Sequence, residues 1–123
     1  MEKAKLIRRY LSEKGQLIMP GVYDAISAKI AARAGFEVIF ITGYSLSATL
    51  LGEPDFGLLT QTEVVNATQR VCSVVETPVI VDADTGYGNA INVIRTVEDL
   101  LRARGEKIRK GSVSQAGVFE YSD

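Results

Sequence analysis

The sequence contains no histidine. Within these residues that excludes a His-based triad, a His-ligated zinc site and a histidine general base. Cysteine occurs once, as Cys72. No internal disulfide is therefore possible, and such sparse cysteine fits a reducing compartment, so the predicted location is the cytoplasm. Cys72 falls in a helical apolar pattern and reads as an inert, small apolar side chain. No run approaches the ~18 apolar residues of a membrane span. The first residues, Met1 to Lys5, lead into a charged amphipathic segment unlike the apolar core of a signal peptide. Neither sign of charge is in excess: 14 Lys and Arg against 15 Asp and Glu leave a net charge of −1. Nothing in that balance drives the chain toward nucleic acid or an anionic membrane, and neither is an expected partner. What remains is 123 residues, 46% apolar and 24% charged, the ordinary balance of at most one globular domain.

Helical and strand patterns alternate along the chain. Residues 3–14 read as an amphipathic helix with Ala4, Ile7 and Leu11 on one row, ended by Gly15. The apolar run 16–19, stopped by Pro20-Gly21, reads as a first buried strand. Asp24 is placed to cap a helix over 25–34 that Gly35 closes. Residues 37–42 read as a second strand, apolar on both faces, as in parallel sheets covered by helices. A short helix is expected around 45–51. Thr60 and Glu63 have the spacing of a capping box, followed by a helical row of Val64, Ala67, Val71 and Val74. Residues 79–84 form a third buried strand, and Ala90, Ile94, Val97 and Leu101 mark the helix after it. One helix followed by three βα units predicts an α/β fold with a parallel sheet and right-handed crossovers. A doubly wound sheet and a (β/α)₈ barrel both begin this way, and a complete barrel usually takes roughly 250 residues. Residues 105–123 break the pattern and read as a divergent or disordered tail. Its basic residues read as a solvated helix end, and 116–119 are too short to define a fourth strand.

Two stretches carry chemistry. In Val79 to Gly88 an apolar strand runs into a glycine-rich loop carrying Asp82 and Asp84. Strand alternation places both acids on one face, at the carboxyl end where parallel α/β sheets hold ligands. Paired carboxylates repel unless a cation lies between them. Mg²⁺ suits two acids plus a substrate oxygen. The plainer alternative is one helix cap and one solvated loop residue. The haloacid-dehalogenase and glycosyltransferase uses of D-x-D fit poorly: Gly86 stands where the former place Thr or Val, and no nucleotide-binding half accompanies the motif. The second stretch is Thr42, Gly43, Tyr44 and Ser45, at a strand end just before a helix. Backbone N–H groups there suit a substrate carboxylate; a tight turn in which Gly43 supplies an unusual dihedral is the alternative. Asp55, after Pro54, is either a turn former or a third acid near the metal.

The stretches 43–48, 51–60, 81–88 and 92–97, taken in order, resemble the isocitrate lyase/phosphoenolpyruvate mutase superfamily, nearest to its 2-methylisocitrate lyase and 2,3-dimethylmalate lyase or oxaloacetate-hydrolase-like members. The resemblance covers residues 1–104. It implies the N-terminal part of a (β/α)₈ TIM-barrel lyase domain, about the first three units preceded by a helix. It implies Mg²⁺, with Mn²⁺ as a substitute. Asp84 would be the direct ligand, and Asp82 and Asp55 would hold the metal's waters. Thr42, Gly43 and Tyr44 would hold a small-molecule carboxylate, with Thr42 replacing a Ser common in relatives. The implied reaction is cleavage of a 2-methylisocitrate- or 2-alkylmalate-like acid through an enolate.

The family's next motifs, a strand ending like Ile-Glu-Asp-Gln and a Lys-x-Cys-Gly-His loop bearing the catalytic acid or base, have no counterpart here; Glu120 is out of register. No catalytic residue is therefore assigned, and the chain is expected to be a truncated lyase, inactive alone. The alternatives are a non-catalytic fragment or subunit needing a complementary chain, and a phosphoenolpyruvate-mutase-like P–C bond enzyme. A partial barrel leaves open sheet edges, so association with a second copy or a complementary chain is expected.

Overall fold

A computed structural model describes residues 2–105. The predicted tail, its basic residues Lys107, Arg109 and Lys110, and the 116–119 segment lie outside the described residues, apart from Gly105.

Helix α1 spans Glu2–Lys14 and is stopped at Gly15, whose φ of 72° a side chain would disfavour. Ile7 is its one buried residue, so α1 lies loosely on the rest. The first strand, β1, is Gly21–Val22, not the 16–19 run. Pro20 has no N–H to give, but its carbonyl accepts from Phe40 N at 3.0 Å, and sheet pairing starts there. Upstream, Ile18 is 75% exposed, so the apolar run that reads as a buried strand lies on the surface. Asp24 caps α2, Ala25–Arg33, in a capping box with Ser27. Strand β2, Ile39–Ile41, ends early because Thr42 leaves the sheet to cap α3, Gly43–Leu50, which starts ahead of the predicted 45–51. The predicted box of Thr60 and Glu63 forms and opens α4, Gln61–Cys72. Strand β3, Val79–Val81, precedes α5, Ala90–Ala103.

The strands pair in parallel in the order β1-β2-β3, with Ile41 beside Val22 on one side and beside Val81 on the other. Val22, Ile39, Ile41 and Val79 bury against Ala28, Ala31, Val64, Val71 and Leu100 of the covering helices. Phe40 and Ile80, adjacent in register, point to the other face and are half-buried. The buried row of α5 differs from the sequence reading. Thr96, Val97 and Leu100 face inward, whereas Ala90 and Ile94 face out. Cys72 is half-buried at the margin of the core, consistent with a packing role.

Candidate functional site

The carboxyl ends of β2 and β3 converge on one cavity of about 180 Å³ lined by Gly43, Asp55, Gly57, Leu59, Asp82, Asp84 and Tyr87. Three acids from two stretches of the sequence thus share one opening. No basic side chain lines it.

Asp82 is the first residue past β3, and its N–H still reaches Ile41 O at 2.9 Å. Its carboxylate then ties together two backbone segments. Oδ1 accepts the N–H of Asp84 at 2.9 Å, and Oδ2 receives the N–H of Gly43, the first residue of α3, at 3.4 Å. The partial positive charge of a helix start favours a carboxylate in that position. Asp84 sits at φ 49°, in the left-handed region that Asp tolerates better than most residues. The regular strand stops at Val81, so strand alternation does not bring Asp82 and Asp84 together. An Asx-type turn does.

Asp55 arrives on the exposed loop between α3 and α4. A β-carbon on Gly43 would lie 2.8 Å from Asp55 Oδ2. Gly43 has an ordinary helical φ, so glycine there does not serve an unusual dihedral; a side chain would instead push the Asp55 carboxylate aside. The Thr42 hydroxyl accepts from Ser45 N at 2.9 Å and lies 2.7 Å from Ser45 Oγ, committed to the helix cap. Tyr44 is 68% exposed and, like Thr42, does not line the cavity with its side chain. At the start of α3 the N–H groups of Gly43 and Ser45 are already engaged, by Asp82 Oδ2 and Thr42 Oγ1, so a carboxylate held here would share or displace those bonds.

Tyr87 is not singled out by the sequence pattern. It lies between Gly86 and Gly88 at φ 62°, with its ring against the core. Burial, then the charges of Asp84, Asp82 and Asp55 in that order, push its phenol well above the ordinary value near 10. The phenol therefore stays neutral and registers all three acids. The glycines around it are spatially required: a β-carbon on Gly86 would lie 2.4 Å from Val93 Cγ2, and one on Gly88 would lie 2.5 Å from Asn92 Oδ1. The signal available in the sequence is the G-Y-G spacing, which demands a loop folded tightly onto the next helix.

Three carboxylates and a cavity without a cationic side chain form the oxygen-rich donor set that a hard divalent ion prefers. Among the described residues no group of three acidic, histidine or cysteine side chains is drawn close enough to form a ready-made cage. The donors fit an ion that keeps several of its waters, as Mg²⁺ does, better than one needing a closed protein shell.

A family model described as phosphoenolpyruvate phosphomutase matches residues 7–108. Carboxyvinyl-carboxyphosphonate phosphorylmutase, chloroplastic, of Arabidopsis thaliana is 54% identical over 96 residues, 77% of this chain and 28% of that protein. The 2,3-dimethylmalate lyase of Eubacterium barkeri is 47% identical over 103 residues, 84% of this chain and 36% of the lyase. The solved structure of a phosphonopyruvate hydrolase with oxalate and Mg²⁺ superposes with a TM-score of 0.73 at 33% identity, covering 82% of this chain and 35% of the hydrolase. The chain thus spans about a third of the length of the proteins it matches.

Proposed function

This chain belongs to the phosphoenolpyruvate phosphomutase family, within the PEP mutase/isocitrate lyase superfamily, and from that membership we propose that it is the N-terminal part of a Mg²⁺-dependent carbon–carbon lyase acting on a 2-alkylmalate-like acid through an enolate. Its strands would be the first three of a (β/α)₈ barrel. The supporting observation is the convergence of Asp55, Asp82 and Asp84 on one cavity beside the start of α3.

In this reading Asp84 would hold the ion directly, and Asp82 and Asp55 would hold its waters. The bound ion supplies Lewis acidity and offsets negative charge building on substrate oxygen. The chain's own residues do the rest. Asp82, fixed by the N–H groups of Gly43 and Asp84, orients one wall of acceptors. Gly43, with the flanking backbone of Thr42 and Tyr44, would receive the substrate carboxylate, which would share the Gly43 N–H with Asp82. Leu59 and the neutral ring of Tyr87 complete the lining on the side of the core. The titratable groups that the described residues bring to the cavity are three carboxylates, read here as cation ligands, and one phenol; no catalytic acid or base is assigned among them. Residues 1–123 alone are expected to give no turnover of 2-methylisocitrate. The single cysteine supports a cytoplasmic setting.

A second reading, chemistry at a P–C bond, is favoured by the 54% identity to the phosphorylmutase. Calorimetric titration of oxalate tests what the two readings share. Oxalate is expected to bind in Mg²⁺ and to give no heat without it; binding of equal strength in EDTA would overturn the metal-plus-carboxylate site. Displacement of bound oxalate by a 2-alkylmalate but not by phosphonopyruvate supports the lyase; the reverse order supports the second reading.

A further inference from the structure

Among the described residues the polar side chains buried almost completely are Ser47, Thr68 and Thr96. Thr68 bonds back within its own helix, to Val64 O at 2.8 Å. The other two reach out of theirs, each to a loop that carries an acid of the site. Ser47 of α3 donates to Pro54 O at 3.0 Å, the carbonyl directly before Asp55. Thr96 of α5 donates to Gly86 O at 2.9 Å, across ten residues, beside the turn that carries Asp84. Neither hydroxyl lines the cavity. A buried hydroxyl that donates to a loop carbonyl ties that loop to its own helix, and at buried Gly86 losing the donor would also leave the acceptor unsatisfied. Each hydroxyl adds to local bonds within its loop: Asp55 and Asp84 are both exposed, and Asp84 occupies a left-handed conformation inside a bonded turn.

We propose that Ser47 and Thr96 are the positioning residues of the site, two hydroxyls that fasten the Asp55 loop and the Asp84 turn from behind so that their carboxylates meet in one cavity. The inference rests on the reading of these acids as cation ligands, but the fastening itself is measurable without any ion. Thr96 acts on a turn already folded by two local bonds, Asp84 N to Asp82 Oδ1 and Gly86 N to Ala83 O, both 2.9 Å. Ser47 acts on a carbonyl that also accepts Phe56 N at 3.0 Å, which lies just past Asp55. The amides of Asp84, Gly86 and Phe56 therefore report how firmly each loop is held.

The test uses the full chain with Thr96→Val, Thr96→Ser and Ser47→Ala. Amide exchange is followed by NMR without metal, and Mn²⁺ affinity by the electron spin resonance of unbound Mn²⁺. Thr96→Val is expected to speed exchange at Asp84 and Gly86 but not at Phe56, and to weaken Mn²⁺ binding about 10-fold, the low end of the loss seen when a residue supporting a metal ligand is removed. Thr96→Ser, which keeps the hydroxyl, is expected to restore both. Ser47→Ala is expected to speed exchange at Phe56 alone and to weaken Mn²⁺ binding less. Unchanged exchange at the reporter amides in both Thr96→Val and Ser47→Ala overturns the proposal, as does equal loosening by Thr96→Ser and Thr96→Val. If wild type binds no Mn²⁺, the cation reading fails, and exchange alone decides whether the hydroxyls hold the loops. If Thr96→Val does not fold, Ser47→Ala applies the same criterion to the other loop.

Discussion

At the scale of single residues, three carboxylates and one phenol from two stretches of the chain meet at one cavity. Asp82 and Asp84 stand out as a D-x-D after an apolar strand, yet their convergence comes from an Asx turn that side-chain alternation does not describe. Asp55 could be read as a turn former or a third acid, and Gly43 as a dihedral requirement; the short approach of Asp55 to Gly43 links the two residues. A close contact between positions twelve apart leaves no periodic trace in a sequence. Gly43→Ala should separate the roles. A β-carbon there forces the Asp55 carboxylate aside while alanine improves helix propensity, so stability should hold or rise by up to about 1 kcal/mol while Mn²⁺ affinity falls. Loss of both in urea unfolding and metal titration would mean that the contact serves the fold instead. Tyr87 gives a pH prediction. Its phenol releases its proton at higher pH when folded than when unfolded, so the folded state binds more protons above pH 10 and loses stability as pH rises through that region. Melting curves should show wild type losing more stability than Tyr87→Phe between pH 9 and pH 11. Parallel losses would contradict the buried, acid-facing placement of the phenol.

At the scale of elements, caps and glycine stops were readable because their signals are local. The Thr60–Glu63 box and the Asp24 cap form as their spacing predicts. Thr60→Ala should remove about 1 kcal/mol and lower Tm by roughly 4–8 °C, measured by circular dichroism; no shift would mean that α4 is held by packing alone. Strand limits were harder to read. The apolar run at 16–19 and the alternating residues 82–84 extend the strand pattern past the pairing, which is set by partners on β2 that a single segment cannot reveal. The phase of α5 is hidden for a similar reason. Apolar Ala90 and Ile94 suggest one row, but Thr96 turns inward because its hydroxyl finds the Gly86 carbonyl, a partner visible only in three dimensions.

At the scale of the molecule, helix and strand alternation was enough to predict a parallel sheet under helices, since strands apolar on both faces need cover on both sides. Among the described residues β1 and β3 remain edges of that sheet, and Phe40 and Ile80 lie on the face that a closed barrel would line. Unpaired parallel edges favour association. Sedimentation of the 123-residue chain at tens of micromolar should therefore give species heavier than the 13.3 kDa monomer; a clean monomer would mean that the edges are protected by other means. A cation site here requires the three acids to act together. Its most direct test is titration of the chain with Mn²⁺, read by the electron spin resonance of the unbound ion, for wild type and for Asp84→Ala. One saturable site is expected in wild type and its loss in the variant, with the far-ultraviolet circular dichroism unchanged. Equal binding by both proteins, or none by wild type, would contradict the cation site.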